Sequence, residues 1–251
     1  MTEAAPSGVA LVTGAGRRIG REIAVQAARA GWDVAVHHRA SDQAAEETAA
    51  AVRALGRRAA VLAADLADIA AAPALIEQAA GALGPLTLLV NNASVFEQDR
   101  LETLTGDSWT RHMDVNLRAP VLLAQAFAAR APDGAAIVNL LDQRVLKPDP
   151  RFFSYALSRA ALHQATTTLA QALAPRIRVN AVAPGPTLRS IHQTEGEFEA
   201  EWSATPLARP VTPADVAEAV IWLARAGCVT GQTIAVDSGQ HLSWRTPDIL
   251  D

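Results

Sequence analysis

Residues Thr13–Gly20 read Thr-Gly-Ala-Gly-Arg-Arg-Ile-Gly, and the fold is decided there. They follow the apolar run Val9-Ala10-Leu11-Val12 and open into Arg21-Glu22-Ile23-Ala24-Val25-Gln26-Ala27-Ala28. That order reads as a buried strand, a glycine turn and an alanine-rich helix. Such a turn brings backbone N–H groups to the positive end of a helix, where they can meet a pyrophosphate. Gly14, Gly16 and Gly20 are expected to supply the φ freedom and close approach that side chains would block. Any tight strand-to-helix turn favours glycine, so the weight lies in the context, after a strand and before a helix.

Outward from this turn, apolar runs alternate with helical stretches. Expected strands are Val9–Thr13, Asp33–His37, Ala59–Ala63, Leu86–Asn91, Ala135–Leu141, Arg176–Val182 and Thr233–Val236. Expected helices are Gly20–Ala30, Asp42–Leu55, Ala67–Leu83, Trp109–Ala131, Phe153–Ala174 and Pro213–Ala226. Continuous apolar strands separated by helices imply an α/β fold: a doubly wound, parallel, seven-stranded sheet with helices on both faces. Right-handed crossovers then place ligands at the carboxyl ends of the strands. No repeat and no linker interrupts the pattern, and 251 residues suit a single domain, 1–251.

Composition narrows the function. Half of the residues are apolar, yet no run approaches the ~20 residues of a membrane span. The leader MTEAAPSG lacks a basic cluster, so a secretory signal is not expected, and the protein is read as cytoplasmic. Cys228 is the only cysteine, which excludes an intrachain disulfide; its plainest reading is a small buried apolar residue. A net charge of −4 gives no footprint for nucleic acid, and no spaced His/Cys cluster suggests a metal.

The chemistry sits at the expected strand ends. The second strand ends in His37-His38-Arg39-Ala40-Ser41, where an NAD-binding fold usually carries an acid for the ribose hydroxyl. Arg39, His38 and Ser41, with Arg17 from the first turn, instead offer donors to a 2′-phosphate, so NADP(H) is the expected cofactor. A solvated basic loop is the alternative. Asp65, before Leu66, can accept from an adenine amino group or cap the next helix. Asn91-Asn92-Ala93-Ser94 can lock a loop beside a cofactor or be ordinary turn residues. Phe96 can stack on a flat ligand or sit in the core. Asn116 lies in a helical stretch that Pro120 is expected to kink; it can hold a water or face solvent. Asp142 ends the fifth strand, and Tyr155 and Arg159 share a helix face four residues apart. A guanidinium beside a phenol is expected to lower the Tyr155 pKa toward neutral.

Taken in order, TGAGRRIG, Asp65-Leu66, Asn91-Asn92-Ala93, Asn116, Tyr155 with its i+4 cation, Asn180-Ala181-Val182-Ala183-Pro184-Gly185 and Asp237-Ser238-Gly239 resemble the short-chain dehydrogenase/reductase family over nearly the whole chain. Within it the chain looks most like the pteridine reductase and dihydrofolate/dihydromonapterin reductase branch. Arg18 in the turn, the His-His-Arg run, Ser94 with Phe96, and Asp142 in place of the family serine carry that likeness. The resemblance implies an NADP-binding N-terminal half and a substrate-binding C-terminal half. It makes Tyr155 the proton donor, Arg159 the stand-in for the family lysine, Asp142 the acid or orienting group, and Asn116 the fourth member of the set. It places Gly14, Arg17, Arg18, Ile19, Gly20, His38, Arg39, Ser41, Asp65, Leu66, Asn92, Ala93, Ser94, Tyr155, Arg159, Pro184, Gly185 and Thr187 around the cofactor. A pterin-like substrate would meet Arg18, Ser94, Phe96, Asp142 and Tyr155.

An ionised Asp142 would repel the oxyanion left by ketone reduction, whereas it could accept from pterin N–H groups; with a raised pKa it could donate a proton instead. The acids Glu195, Glu197, Glu199 and Glu201 read as a solvated helix face. The resemblance implies a homotetramer with the tail from Gln240 to Asp251 at its interface, and Trp244 reads equally as an interface contact or an internal anchor.

Overall fold

The computed structural model describes residues 8–191 and 193–244. Seven strands form one parallel sheet: β1 (Val9–Val12), β2 (Asp33–His38), β3 (Ala59–Ala63), β4 (Leu86–Asn91), β5 (Ala135–Leu140), β6 (Ile177–Pro184) and β7 (Thr233–Val236). Their order is β3-β2-β1-β4-β5-β6-β7. The chain winds outward from β1 to β3, then returns to lay β4 against β1. The strand order therefore reverses between β1 and β4, where a doubly wound sheet places its ligand crevice at the carboxyl edge.

Alternation along each strand builds two cores. Ala10 and Val12 of β1 face α1 (Arg18–Arg29) and α8 (Pro213–Arg225) through Ile23, Ala27, Val216 and Val220. Val9 and Leu11 face α3 (Ala71–Leu83) and α5 (Ala119–Ala128) through Leu75, Ile76, Leu123 and Phe127. Burying each such side chain stabilises the fold by about 1.5–3 kcal/mol, which is why the strands read as continuous apolar runs. The remaining helices are α2 (Asp42–Ala54), α4 (Gly106–Met113), α6 (Phe153–Leu173) and α7 (Glu195–Ser203).

Beyond shifts of one or two residues at element ends, two elements and one burial depart from expectation. The third helix begins at Ala71, because Asp65 and Asp68 accept from the amides of Ala67 and Ala70 and hold two tight turns first. Asp65 thus caps a turn, not a helix. The stretch expected as one helix over Trp109–Ala131 is α4, a wide π turn at Asp114–Arg118, and α5, with Pro120 in the first turn of α5. The chain meets the proline with that wide turn, and Asn116 sits in it. Cys228 is exposed, in the turn between α8 and β7, and not buried as its apolar character suggests.

The leader residues 1–7 and the tail 245–251, on which the secretion and interface readings partly rest, lie outside the described residues. Trp244 is exposed. Among the described residues no helix is long and apolar enough to cross a membrane.

Candidate active site

The glycine turn is braced from three sides. Gly14 is left-handed at φ 63°, and Gly20 packs so closely that an added Cβ would lie 2.2 Å from the Gly14 oxygen. Gly16 needs neither freedom, since a Cβ there would meet its nearest neighbour at 3.4 Å. The other left-handed residue of the turn is Arg18, at φ 53°. Asn92 donates Nδ2 to the carbonyls of Thr13 (2.8 Å) and Gly14 (3.1 Å), so its side chain is committed to the turn. Ala93 packs on Gly14, its Cα 3.0 Å from where a Cβ would stand. From β2, His37 Nδ1 accepts from the Gly14 amide at 3.1 Å, and Nε2 lies 3.1 Å from the Ala64 carbonyl. Burial pushes the His37 pKa down to about 4, so it is a neutral strut between β1, β2 and β3.

The entrance suits an anion. Helix α1 starts without a side-chain cap and without an acid in its first turn. Arg17 and Arg39 are exposed beside it. His38 is buried and accepts from the Ser41 amide at 3.1 Å, so it shapes the β2–α2 loop. Asp65 is exposed, Leu66 is buried and Ile19 packs against the α1 core. On the opposite wall, Pro184 and Gly185 end β6; a Cβ on Gly185 would lie 2.6 Å from the Asp237 Cα. Thr187 donates to the Gly185 carbonyl at 3.0 Å. Arg18 reaches across the crevice and donates to the carbonyls of Leu188 (3.1 Å) and Arg189 (3.2 Å). It therefore ties the glycine turn to the loop after β6.

Asp142, Tyr155 and Arg159 come together at the carboxyl end of β5. Tyr155 is buried on the first turn of α6 and donates to Asp142 Oδ2 at 3.0 Å. Asp142 follows β5 and caps a short 3-10 turn at Gln143–Val145, accepting from the Arg144 amide at 2.9 Å. Arg144 Nη1 then reaches both Asp142 oxygens, at 3.2 and 3.1 Å. Burial alone would lower the Arg144 pKa; the charge of Asp142, helped by Asp149 and Glu201, outweighs it and raises the pKa. Arg159 is buried, its guanidinium 5.5 Å from the Tyr155 ring, and it donates to the Leu140 carbonyl at 3.0 Å.

The expectation for Tyr155 is overturned in sign. Burial first, then the Asp142 charge, push its pKa above the ordinary phenol range; Arg159 and Arg144 pull it back by less. The phenol is therefore a held O–H at neutral pH, not a near-neutral phenolate.

Asn116 is buried and internally satisfied. Its Oδ1 accepts from the Val95 amide (2.8 Å), and its Nδ2 donates to the Val95 carbonyl (2.9 Å) and Ser158 Oγ (3.1 Å). Both readings of its side chain, water holder and surface residue, give way to a clamp between the β4 loop and α6. Ser94 is exposed and donates to the Val95 carbonyl at 3.2 Å. Phe96 is half-buried, stacked on Phe152 at 4.3 Å and edge-on to Tyr155 at 4.7 Å. Arg144 lies over Phe152 at 5.4 Å.

Sequence reasoning missed Arg144, His37, Phe152 and a buried cluster behind Tyr155. In that cluster Asp99 accepts from the Ser154 amide (3.0 Å) and hydroxyl, and Ser154 Oγ lies 2.7 Å from His112 Nδ1. Asp99 caps α6 from a distant loop. Glu201 also departs from the solvated face expected of it, accepting from Gln193 (2.7 Å) and Gln240 (3.2 Å).

Residues 14–241 match a family model described as enoyl-(acyl carrier protein) reductase. A protein of Picea abies named short-chain type dehydrogenase/reductase is 35% identical over 248 residues, 92% of each chain. The chain belongs to the short-chain dehydrogenase/reductase family of oxidoreductases. Among solved structures, FolM alternative dihydrofolate reductase 1 from Brucella canis, complexed with NADP, is 45% identical at a TM-score of 0.93, covering 97% of both chains. Its counterpart from Brucella suis, also with NADP, has the same identity and TM-score over 97% of this chain and 98% of that one. The 3-oxoacyl-[acyl-carrier-protein] reductase FabG of Staphylococcus aureus is 33% identical over 240 residues, 93% of this chain and 98% of its own.

Proposed function

We propose that this protein is an NADPH-dependent reductase of a pterin or dihydropterin. The observation that carries the reading is Asp142: a carboxylate, not a hydroxyl, faces the Tyr155 phenol at 3.0 Å, with Arg144 on both of its oxygens. The likeness to two FolM alternative dihydrofolate reductases supports it.

The entrance fits the nucleotide: an uncapped, acid-free helix start for the pyrophosphate, and Arg17, Arg39 and Ser41 for a 2′-phosphate. NADPH, when bound, supplies the hydride. Pro184, Gly185 and Thr187 would bound the nicotinamide side, and Arg159 would hold ribose hydroxyls. Tyr155 keeps its proton at neutral pH and delivers it to the substrate nitrogen beside the carbon that gains hydride, so C=N becomes CH–NH; solvent restores the phenol. Asp142 accepts from substrate N–H groups. Phe96 forms an aromatic wall for a flat ring. The same reading takes the protein as a cytoplasmic homotetramer, which light scattering of the purified chain tests for assembly.

The likeness to FabG supports a second reading, reduction of a ketone. The replacement of the family lysine by Arg159 supports a third, cofactor binding without turnover. NADPH consumption with dihydrobiopterin, dihydromonapterin and dihydrofolate, against small ketones, separates the first two. NADPH binding without any turnover, with activity restored by Arg159→Lys, would establish the third.

A further inference from the structure

An ionised carboxylate offers about four acceptor positions. In Asp142 all four are taken. Oδ1 receives the Arg144 amide (2.9 Å) and Nη1 (3.2 Å); Oδ2 receives Nη1 (3.1 Å) and the Tyr155 hydroxyl (3.0 Å). Three of the four come from Arg144, whose side chain is mostly enclosed, 15% exposed, and faces Asp149 and Glu201 as well. The fourth comes from Tyr155, the group that must turn to the substrate to deliver a proton. Only that position can be exchanged without breaking the ion pair or the backbone bond that closes the 143–145 turn.

Resting on the reductase reading above, we propose that Arg144 is the positioning residue that fixes Asp142 and leaves it one exchangeable acceptor position, the one Tyr155 vacates when it turns to the substrate. When the substrate enters, the Tyr155 O–H turns to the accepting nitrogen, and a substrate donor or a water takes its place on Oδ2. The hydrogen bonds are conserved in number. Arg144 also lies over Phe152, which stacks on Phe96, so the same guanidinium steadies the aromatic wall.

The test is a cycle with Arg144→Met, Arg144→Lys and Asp142→Ser, read with dihydrobiopterin and with NADPH binding measured apart. Arg144→Met is expected to raise KM by roughly tenfold or more, the scale of lost charge-assisted hydrogen bonds, while the NADPH Kd stays within about twofold. Arg144→Lys, which keeps the charge and loses the fork, is expected to fall between. In the Asp142→Ser background, Arg144→Met is expected to change KM less than about twofold, since neighbours acting through one partner are not additive.

A second readout needs no substrate. The chain has 1 tyrosine, so isotope-labelled tyrosine gives one resonance, from Tyr155. That resonance is expected to move in Arg144→Met. A full Arg144→Met effect persisting in Asp142→Ser, a lysine variant no better than methionine, or an unmoved Tyr155 resonance would overturn the proposal. If the parent reduces no dihydropterin, the reductase reading falls, and the resonance still decides whether Arg144 governs the Asp142–Tyr155 contact.

Discussion

Replacing Asp142 by Asn removes a charge and keeps an acceptor for the Tyr155 hydroxyl. The carboxylate oxygen lies 3.0 Å from the phenol oxygen, which at an effective dielectric of ~20 is worth about 5–6 kcal/mol against a phenolate. Arg144, whose Nη1 lies 3.1 Å from the same carboxylate oxygen, is present in parent and variant alike and drops out of the difference. Loss of the Asp142 charge corresponds to a downward shift of the phenol titration by up to about 4 pH units. Tyr155 is the chain's 1 tyrosine, so phenolate absorbance reports it alone.

The sign of the background matters for the assay. A phenol raised in the folded state keeps its proton when an unfolded one, with a pKa of about 10, has lost it, so stability falls as pH rises past that value. The measurement is therefore a rapid alkaline pH jump, read before unfolding. The parent is expected to show phenolate only with unfolding, and Asp142→Asn to show it earlier, in the folded state. An unchanged titration, or an upward shift, would refute the claim that Asp142 holds Tyr155 protonated.

Other outcomes follow from the same geometry. Tyr155→Phe should lower kcat by roughly 10²–10⁴-fold, the range for a lost general acid, with NADPH affinity unchanged by direct titration; an intact rate would exclude Tyr155 as proton donor. Arg39→Ala should weaken NADPH binding by roughly 1.5–3 kcal/mol, measured by calorimetry, because a charge-assisted bond to the 2′-phosphate is lost; NADH binding should not change. His37 is neutral when folded, with a pKa of about 4, whereas unfolded it takes a proton below about 6.5. Stability should therefore fall by about 3 kcal/mol as pH drops through that window, and His37→Gln should flatten the dependence of the urea midpoint on pH. An equally steep loss in the variant would contradict the assignment.

Much of the fold was legible because it depends on pattern. Continuous apolar strands, alanine-rich helices and one glycine turn give the sheet and its crevice, and the boundaries of β3, β4 and β7 coincide with the runs that announce them. The site was legible where roles follow spacing along one element, as for Tyr155 with Arg159. It was not legible where tertiary contacts decide. Arg144 reaches Asp142 only because residues 143–145 form a tight turn that folds the chain back. Asp99, His112 and Ser154 meet from three separate segments. The sign of the Tyr155 shift depends on burial, which a sequence of polar and apolar letters does not measure. Asn92 and Asn116 were found as polar residues near the site, but their partners, the backbone of Thr13, Gly14 and Val95, are set by chain crossings.

The central claim is that hydride passes to a C=N bond of a flat heterocycle held between Asp142, Tyr155 and Phe96. The most direct measurement is NADPH consumption by the purified protein with dihydrobiopterin, dihydromonapterin or dihydrofolate, alongside small ketones. Turnover of at least one dihydropterin, abolished by Tyr155→Phe and weakened by Asp142→Ser, is the predicted result. Turnover of ketones with none of the dihydropterins would contradict it.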